Sequence, residues 1–494
     1  MFLLLLIIIP FFGAVLCWQS ERVNVQLPRL VALITMGITL IFTFHIWVNS
    51  FFLVSRKTSF SKSWIFEFLV PWIPRFGIDF HLGIDGLSIL MVFLTSFLGI
   101  ISVLCSWNEI KERQGLFYFH LIWLLGSVLG IFLAVDLFLF FFFWEIMSVP
   151  MYFLVTLWGY RGKYSHDRVK VANKFFLYSQ FSGLIMLIGI ISLVFSHYYV
   201  SNIWTFDYHL LLNTPMNAEL EFFLMLCFFL AFLVKMPIVP FHNWLPDLHA
   251  YSPTAGSVDL SGILLKTAAY GLLRFSISLF PRASFSFSTF AIYLGIFTIF
   301  YSAWMAFSQN DIKRLVAYGS ISNMGFILIS IYAHNRIAHE GAVVQMLAHG
   351  VSTAALFVLI GQLYERVHTR DMNKMGGLWL KMKWIPAFSL FFSIANIGMP
   401  GTGNFVGEFL ILMGLFNFSP FFSSISIFIF IFSSIYSLKM IQRTYYGIST
   451  NTLKINNMTY REFFIIFCLM SVLILLGLFP QIVLDTVYLS LYNF

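Results

Sequence analysis

Residues 231–275 read AFLVKMPIVPFHNWLPDLHAYSPTAGSVDLSGILLKTAAYGLLRF and hold two lysines, Lys235 and Lys266, inside long apolar runs. A lysine near the centre of a bilayer costs roughly 2.5 to 3.5 kcal/mol by insertion scales. Two lysines in successive hydrophobic segments therefore indicate charged partners or a path filled with water. The first run also breaks at Pro237 and Pro240, directly after Lys235. A charged residue beside a broken helix is typical of a transport site.

The composition predicts a membrane protein that crosses the bilayer many times. Of the 494 residues, 60% are hydrophobic and 10% are charged, and the mean hydropathy is +0.87. Apolar runs of spanning length occur from one end of the chain to the other. The formal net charge of +8 comes mostly from short loops between these runs. We interpret it as membrane topology and expect the lipid bilayer, but no nucleic acid, as a partner.

The apolar runs predict an all-α polytopic membrane protein with about 14 transmembrane helices. We expect a single membrane domain over residues 1–494, since no loop is large enough to fold separately. Within it, helices 1–3 fall in residues 1–116, a first group of five helices in 117–276, a second group of five in 288–442, and the last helix in 462–481.

The two groups of five helices are predicted to be inverted repeats. The seventh span breaks between Lys235 and Pro240, and the twelfth breaks within NIGMPGTGNFVGEF, residues 396–409. These interrupted helices lie five spans apart and run in opposite directions across the membrane. Such a pair is the usual sequence cue for inverted repeats.

The charges of the loops predict the orientation. Most of the 29 Lys and Arg residues lie in one set of alternate loops, which the positive-inside rule assigns to the cytoplasm. An even number of spans then puts both termini on the outer side. The apolar residues 2–18 have no basic start and no small-residue cleavage pattern, so we interpret them as the first span rather than a signal peptide.

Glu145 is the first deep carboxylate. It lies in FLFFFFWEIMSVPMYFL, residues 138–154, roughly 14 Å into the fifth span. One interpretation is a neutral carboxyl that bonds a backbone carbonyl. The other is a proton site paired with Lys235, because an apolar residue would serve packing without the cost of burying a carboxyl. The pairing rests on complementary charge at a similar depth.

Three further titratable residues lie deep in later spans. Lys266 is too far from either end of the eighth span to reach the interface, and a buried lysine near a carboxylate can load and release protons. His349 is in mid-span and titrates near neutral pH, which suits a relay between lysines, with a hydrogen-bonded packing histidine as the alternative. Glu408 follows the Gly/Pro break of the twelfth span and is the second deep carboxylate.

Three other polar residues have weaker claims. Asp259 lies seven residues before Lys266 and fits either the same path or the start of a helix after Pro253. His242, near the cytoplasmic end of the broken seventh span, is a candidate for lining an entrance, with a structural role equally open. Asp136 is at a helix end, which favours a solvated cap.

The sequence contains no motif for a cofactor or a metal. Residues 396–403 are rich in glycine but lie inside a span, without the strand-turn-helix context of a nucleotide site. Cys17, Cys105, Cys227 and Cys468 lack the spacing of metal ligands, so we do not expect them to bind an iron–sulfur cluster. We expect the chain to carry charge without binding a redox centre.

Four stretches carry a resemblance to a known family. They are WQSERVNVQLPRLVALITMG at 18–37, the stretch from residue 234 to 275 given above, DIKRLVAYGSISNMGF at 311–326 and NIGMPGTGNFVGEFLIL at 396–412. Over essentially its whole length the chain resembles the antiporter-like membrane subunits of bacterial proton-pumping NADH:quinone oxidoreductase, the respiratory complex I. The middle stretches also recur in multisubunit sodium/proton antiporters. Glu408 distinguishes the chain within this group, because the sister antiporter-like chains have a lysine in the twelfth span.

The resemblance implies a role for each deep residue. Glu145 and Lys235 would form the ion pair of a first half-channel. Lys266 would be the central relay and Glu408 the terminal carboxylate. His349 matches a histidine of the polar axis that joins them.

Asn323, within SISNMGF, departs from the family pattern. The family often has a histidine at this position of the polar axis. Asparagine keeps the hydrogen bonding but cannot hold a proton near neutral pH. A water bridge or another neighbour must then carry that step.

The resemblance also implies an assembly. The chain would be a proton-translocating subunit driven by quinone reduction elsewhere, in the bacterial inner membrane with both termini periplasmic. Its partners would be other membrane-arm subunits, especially the sister antiporter-like chains, and FMN, iron–sulfur clusters and quinone would lie in other subunits. A subunit of a cation/proton antiporter is the alternative. A scaffold that only seals the membrane needs no intramembrane charges, so the charges argue against it.

The role proposed for Lys235 can be tested by substitution. We expect Lys235→Ala to remove most proton pumping and Lys235→Arg to restore only part of it, because a guanidinium stays protonated under nearly all conditions and cannot cycle. The measurement is NADH-driven proton uptake into inverted vesicles, normalised to assembled complex. Full pumping by Lys235→Arg would instead give the residue a fixed-charge role.

Overall fold

The computed structural model describes residues 2–56, 64–160, 167–447 and 456–491. Several basic residues that enter the topology argument lie outside these ranges, namely Lys57, Lys62, Arg161, Lys163 and Lys454. The orientation predicted from the loop charges therefore rests partly on residues that the structure does not describe.

The amino-terminal half contains long helices and one β-hairpin. α1 is Phe2–Ser20 and α2 is Leu27–Arg56. β1 (Phe66–Ile73) and β2 (Ile78–Ile84) pair in antiparallel fashion around a 3-10 turn at Pro74–Phe76. The following helices are α3 (Gly86–Cys105), α4 (Gln114–Leu133), α5 (Leu137–Ile146), α6 (Ser148–Trp158), α7 (Asp167–Ser201), α8 (Tyr208–Leu212), α9 (Ala218–Lys235) and α10 (Trp244–Tyr251).

The carboxyl-terminal half is helical throughout its described elements. Its first span is a composite of α11 (Thr254–Asp259), α12 (Leu265–Gly271) and α13 (Ile277–Leu279), joined by π-helical stretches at Leu260–Leu264 and Leu272–Ser276. The others are α14 (Pro281–Ser308), α15 (Ile312–Ile331), α16 (Arg336–Val367), a 3-10 turn at Met372–Lys374, α17 (Leu378–Lys381), α18 (Trp384–Ala395), α19 (Gly403–Phe418), α20 (Pro420–Ile427), α21 (Ile429–Tyr445), α22 (Tyr460–Leu478) and α23 (Gln481–Leu491).

The predicted class, a helical polytopic membrane protein, is confirmed. Within the described ranges, 12 helices are long and apolar enough to cross a membrane. Of the remaining predicted spans, one corresponds to α9, whose charged residues are Glu219, Glu221 and Lys235, and the other to the shorter apolar helices α18 and α19. The count of fourteen stays a prediction, as do the domain boundaries and the inverted repeats.

Both predicted helix breaks are present. α9 ends at Lys235, and the next helix begins only at Trp244. α18 ends at Ala395, and α19 begins at Gly403. In each case the irregular backbone lies at the Pro- and Gly-containing stretch that the sequence singled out.

The fifth span, predicted as one helix, is a single helical span, Leu137–Trp158, with one irregular residue inside it. α5 and α6 meet at Met147, which belongs to neither helix. Pro150 gives the reason, because proline has no N–H to donate to the carbonyl of Ile146, four residues earlier. Glu145 therefore lies two residues before this irregularity, near the middle of the span.

The eighth span is continuous but not uniformly α-helical. The two π-helical stretches flank α12, which carries Lys266. In the first stretch the N–H of Leu265 bonds the carbonyl of Leu260, five residues back, and so leaves the Ser261 carbonyl without its α-helical partner. Such π-helical turns are frequent at functional sites.

The hairpin covers one end of the helical bundle, which we call the hairpin face. The N–H of Val135 donates to the His81 carbonyl at 3.0 Å, and the N–H of Phe206 donates to the Gly77 carbonyl at 3.2 Å. His81 also hydrogen bonds Asp207 at 2.5 Å. Burial alone would raise the pKa of Asp207, but the hydrogen bond and charge of His81 bring it below the ordinary value.

The opposite end carries loops rich in basic residues, and we call it the basic face. Lys174 and Arg314 both pair with Asp247, at 2.9 and 3.1 Å, and Arg366 pairs with Glu462 at 2.7 Å. Alternate loops thus gather at two opposite ends of the bundle, as the predicted topology requires.

Two elements departed from the sequence prediction. The β-hairpin lies between two predicted spans, where the sequence analysis names no strand, because short apolar strands cannot be told from other apolar segments by periodicity alone. α23 follows the helix that was predicted to be the last, and it packs against the start of α3, where Gly86 lies against the Thr486 carbonyl.

Asp136 caps α5, as predicted, but it is buried rather than solvated. One carboxylate oxygen accepts from the N–H of Phe138 at 2.8 Å and of Leu139 at 3.0 Å. The other accepts from the N–H of Asp79 in the hairpin at 3.3 Å. The same carboxylate thus starts a helix and attaches the hairpin to it.

Substitution of Asp136 tests this cap. We expect Asp136→Ala to lower stability by about 1 to 2 kcal/mol, because buried N–H groups lose their acceptor. Asp136→Asn keeps an amide oxygen for the cap and is expected to cost less. The midpoint of thermal unfolding of the purified complex measures both changes, and an Ala variant as stable as the wild type would contradict the assignment.

Candidate functional site

Lys235 is the last residue of α9 and has only 1% of its surface exposed. Its Nζ donates to Ser179 Oγ at 2.7 Å and to Ser148 Oγ at 3.1 Å, and the two hydroxyl oxygens lie 2.6 Å apart. The ring centroid of Trp144 is 5.2 Å from Nζ. Two hydroxyls and an aromatic face thus replace part of the water that an ammonium has in solution.

Glu145 makes no direct salt bridge with Lys235. Its Oε2 accepts a short hydrogen bond from Gln180 Nε2 of α7, and its Oε1 is buried without a hydrogen-bond partner among the described residues. The ammonium of Lys235 bonds Ser148 and Ser179 instead. The ion pair implied by the family resemblance is therefore indirect in this structure, with two hydroxyls at the lysine and an amide at the carboxylate.

Both deep carboxylates lie against glycines. A Cβ placed on Gly183 would overlap Glu145 Oε1, and a Cβ on Gly398 would overlap Glu408 Oε2. Gly398 also has a φ of +91°, which side chains disfavour. Each carboxylate therefore occupies space that a larger residue would fill.

Lys266 and His349 are in direct contact at the centre of the bundle, and both are completely buried. Lys266 Nζ lies 3.1 Å from His349 Nδ1 and also donates a short hydrogen bond to the Ser261 carbonyl. That carbonyl is the one released by the π-helical stretch. The backbone irregularity thus supplies an acceptor for the buried lysine, and the role of His349 as a relay stays a prediction.

Glu408 and Asn323 are joined through a residue that sequence reasoning missed. Gln345 Nε2 donates to Asn323 Oδ1 at 3.1 Å and to Glu408 Oε1 at 3.4 Å. Gln345 lies four residues before His349, on the same face of α16. Its amide connects Asn323 to Glu408.

The break before α19 is held together by amides and a hydroxyl. Asn404 Nδ2 donates to the Ala395 carbonyl at 3.0 Å and to Asn396 Oδ1 at 3.0 Å. Ser352 of α16 donates to Asn396 Oδ1 at 2.6 Å. These bonds satisfy backbone and side chains at the interrupted helix, as a membrane interior requires. They also connect the break to the helix that carries His349.

Asp259 and His242 do not join the other residues by hydrogen bonds within the described chain. Asp259 is completely buried, ends α11 and caps nothing, so its interpretation as a helix-start residue is wrong. His242 is 3% exposed and packs edge-on against Tyr301, with ring centroids 5.1 Å apart. The roles of both residues in lining a channel stay predictions.

Sequence reasoning found the charged residues of the site but missed their neutral partners. Ser148, Ser179, Gln180 and Gln345 each bond one of them. For Gln345 a signal existed, since its spacing from His349 places both on one helix face. For the two serines and Gln180 none did, because their contacts join different helices.

Residues 134–437 match the family model described as NADH:quinone oxidoreductase/Mrp antiporter, TM. The chain is 57% identical over 491 residues to NADH-quinone oxidoreductase subunit M of Escherichia coli (strain K12), which covers 99% of this chain and 96% of that one. The chain belongs to this family, in its subunit M group. The family prediction from the sequence motifs is therefore confirmed.

Solved structures share the fold over the whole chain. Respiratory complex I from Thermus thermophilus with bound NADH contains a chain that matches with a TM-score of 0.88 and 26% identity, covering 100% of this chain and 99% of that one. A chain of the Mrp complex from Dietzia sp. matches with a TM-score of 0.84 and 21% identity, covering 100% of this chain and 52% of that one. The second match shows a shared fold alone.

The glycine beside Glu145 gives a test of the site geometry. We expect Gly183→Ala to displace the Glu145 carboxylate and to reduce proton pumping about as much as Glu145→Gln, since the added methyl group occupies the position of Oε1. NADH-driven proton uptake, normalised to assembled complex, measures the loss.

A glycine in open space provides the matched control. Gly37, on α2, has no atom within 4 Å of the position that a Cβ would take, so Gly37→Ala is expected to pump normally. Normal pumping by Gly183→Ala as well would mean that the position of the Glu145 carboxylate does not matter.

Proposed function

We propose that this chain translocates protons across the membrane as subunit M of an NADH-quinone oxidoreductase, with energy supplied by oxidation of NADH and reduction of quinone. The observation that carries the proposal is a row of ionisable side chains within the spans. Lys235, Lys266, His349 and Glu408 are buried, and Glu145 is half-buried with one enclosed carboxylate oxygen. Ionisable residues inside membrane helices are costly and mark ion or proton pathways.

The row consists of four hydrogen-bonded groups. They are Glu145 with Gln180, Lys235 with two serines, Lys266 with His349, and Gln345 with Glu408. A hydroxyl both donates and accepts, so Ser148 and Ser179 are suited to pass a proton between Lys235 and water next to Glu145. In our proposal water completes the row between the groups.

Several stations suit a pump that works against a membrane potential. Moving one charge through the field takes roughly 2.3 kcal/mol per 100 mV, so a path with one deep site would trap the proton or present a high barrier. Lysine and histidine are neutral or cationic, and glutamate is neutral or anionic. A row that combines them allows each proton transfer to change the charge of its neighbours and so to favour the next step.

The remaining roles belong to the rest of the assembly. In this proposal FMN, iron–sulfur clusters and quinone are held by other subunits, and this chain acts as part of a translocase without a redox centre of its own. Sister antiporter-like chains of the membrane arm are its neighbours. The basic face lies in the cytoplasm, which puts both termini on the periplasmic side of the bacterial inner membrane.

A subunit of a cation/proton antiporter is the second candidate, and the fold shared with the Mrp complex is the observation in its favour. Identity separates the two candidates, at 57% with subunit M against 21% with the Mrp chain. Glu408, where related chains have lysine by the family resemblance, also favours the first. Mild purification and identification of the accompanying subunits distinguishes them, since only the first predicts flavin- and iron–sulfur-containing partners.

Lys266 and Glu408 provide the test of the path. We expect Lys266→Ala and Glu408→Gln to stop proton pumping in assembled complex, because each removes a station that loads and releases a proton. Glu408→Lys, which imitates the sister chains, is expected to keep part of the activity.

The measurement is proton uptake into inverted vesicles per NADH oxidised. Gln345→Glu is a useful companion, since it adds a second carboxyl beside Glu408 while keeping the side-chain length. Normal pumping by Lys266→Ala or Glu408→Gln would remove that residue from the path.

A further inference from the structure

The surroundings of Lys266 differ between the two ends of the bundle. Toward the basic face its ammonium bonds the Ser261 carbonyl, and beyond that lie the carboxyl of Asp259 and the ammonium of Lys313. Lys313 is itself buried and donates to Ser257 Oγ at 3.4 Å and to the Ser252 carbonyl at 2.9 Å. Titratable groups and hydroxyls therefore continue from Lys266 toward the basic face.

Toward the hairpin face the same helix presents Tyr270 and Arg274, four and eight residues after Lys266. At 1.5 Å per residue, Arg274 lies roughly 12 Å along the helix from Lys266. The Tyr270 hydroxyl donates to the Phe132 carbonyl at 3.1 Å and lies 3.1 Å from Ser88 Oγ. Tyr270 is completely buried, so it fills the space between the two charged residues.

Arg274 forms a buried ion pair with Asp85. Its side chain is 5% exposed and that of Asp85 is 3% exposed, and a guanidinium nitrogen donates a short hydrogen bond to Asp85 Oδ2. The other oxygen, Asp85 Oδ1, accepts from the N–H of Ser88 at 2.9 Å and caps α3. The indole of Trp64, from the residues leading into the hairpin, covers the guanidinium at 4.6 Å.

We propose that the Asp85–Arg274 pair, together with Tyr270 and Trp64, is a barrier that prevents protons on Lys266 from escaping directly to the hairpin face. The barrier forces them along the row toward His349 and Glu408. This inference rests on the proposed function, because it takes Lys266 as a residue that holds a transported proton.

The chemistry of arginine suits this role. A guanidinium has only donors, no acceptor, and is not deprotonated in proteins, so a proton cannot pass through it as it passes through water, a hydroxyl or histidine. The Tyr270 hydroxyl already donates to a backbone carbonyl, which is an acceptor only. Asp85 accepts one hydrogen bond from the arginine and one from a backbone N–H. The arginine and the engaged tyrosine hydroxyl therefore offer no onward step for a proton.

The buried location explains why a charged pair serves better than a single charge. An unpaired arginine in a membrane interior is expensive, and the carboxylate compensates for it. An apolar plug of the same size would also exclude water, but it would not repel an approaching proton. The paired guanidinium presents donors to any water that enters from the hairpin face.

The test is the passive proton leak of purified complex in proteoliposomes, measured as decay of an imposed pH gradient without NADH. The main variant is Arg274→Ala with Asp85→Asn, which opens a polar space for water, keeps an N-cap on α3 and leaves no unpaired carboxylate. We expect a several-fold faster decay than in the wild type, and a return to the wild-type rate when Lys266→Ala is added.

A matched control removes a different buried ion pair. Arg366 and Glu462, at the basic face, have side chains 8% and 7% exposed, and Glu462 belongs to a capping box that glutamine also satisfies. Arg366→Ala with Glu462→Gln is expected to leave the leak unchanged. Arg274→Lys is the second variant, used if the main variant does not assemble. We expect its leak to lie between those of the wild type and the main variant, because an ammonium can release its proton.

The outcomes separate the barrier from the path. Wild-type tightness in whichever Arg274 variants assemble overturns the barrier, as does a leak that persists without Lys266. Neither result touches the proposed function. Normal NADH-driven pumping by Lys266→Ala alone overturns the proposed function instead, whatever the leak of the Arg274 variants.

Discussion

The structure depends on how ionisable side chains are kept inside a membrane. Each deep lysine or glutamate forgoes hydration, so each needs a partner that its own helix does not ordinarily provide. Lys235 finds serines on two other helices, and Lys266 finds a carbonyl freed by a π-helical turn and a histidine across the helix interface. The broken and irregular helices therefore follow from the charges that they serve.

The two halves of the chain surround their deep carboxylates in a similar way. In each half a carboxylate packs against a glycine, Glu145 against Gly183 and Glu408 against Gly398, and in each half a side-chain amide bonds that carboxylate. The order along the chain differs, because the first break follows a lysine and the second precedes a glutamate. A shared solution in different sequence order is consistent with the predicted internal repeat but does not require it.

The sequence predicted the features that depend on local pattern. Long apolar runs gave the spans, Pro and Gly gave both breaks, and isolated charges gave the members of the row. The contacts between helices could not be predicted from it. The sequence therefore paired Glu145 with Lys235 but did not predict the bonds of Glu145 to Gln180 and of Lys235 to two serines. Asp259 shows the same limit, since only the packed bundle reveals that this carboxyl is completely buried and caps nothing.

A transmembrane proton path needs insulation as much as it needs stations. A row of titratable residues near the middle of the membrane conducts in a useful direction only if each station opens to one side at a time. In our proposal, the types of side chain on the two sides of Lys266 provide this insulation. Hydroxyls, a carboxyl and a lysine continue toward the basic face, whereas toward the hairpin face the same helix ends in a tyrosine whose proton is engaged and an arginine that cannot release one. The composite helix Thr254–Leu279 thus carries polar groups on both sides of Lys266. In our proposal, residue type rather than polarity decides where the path stops.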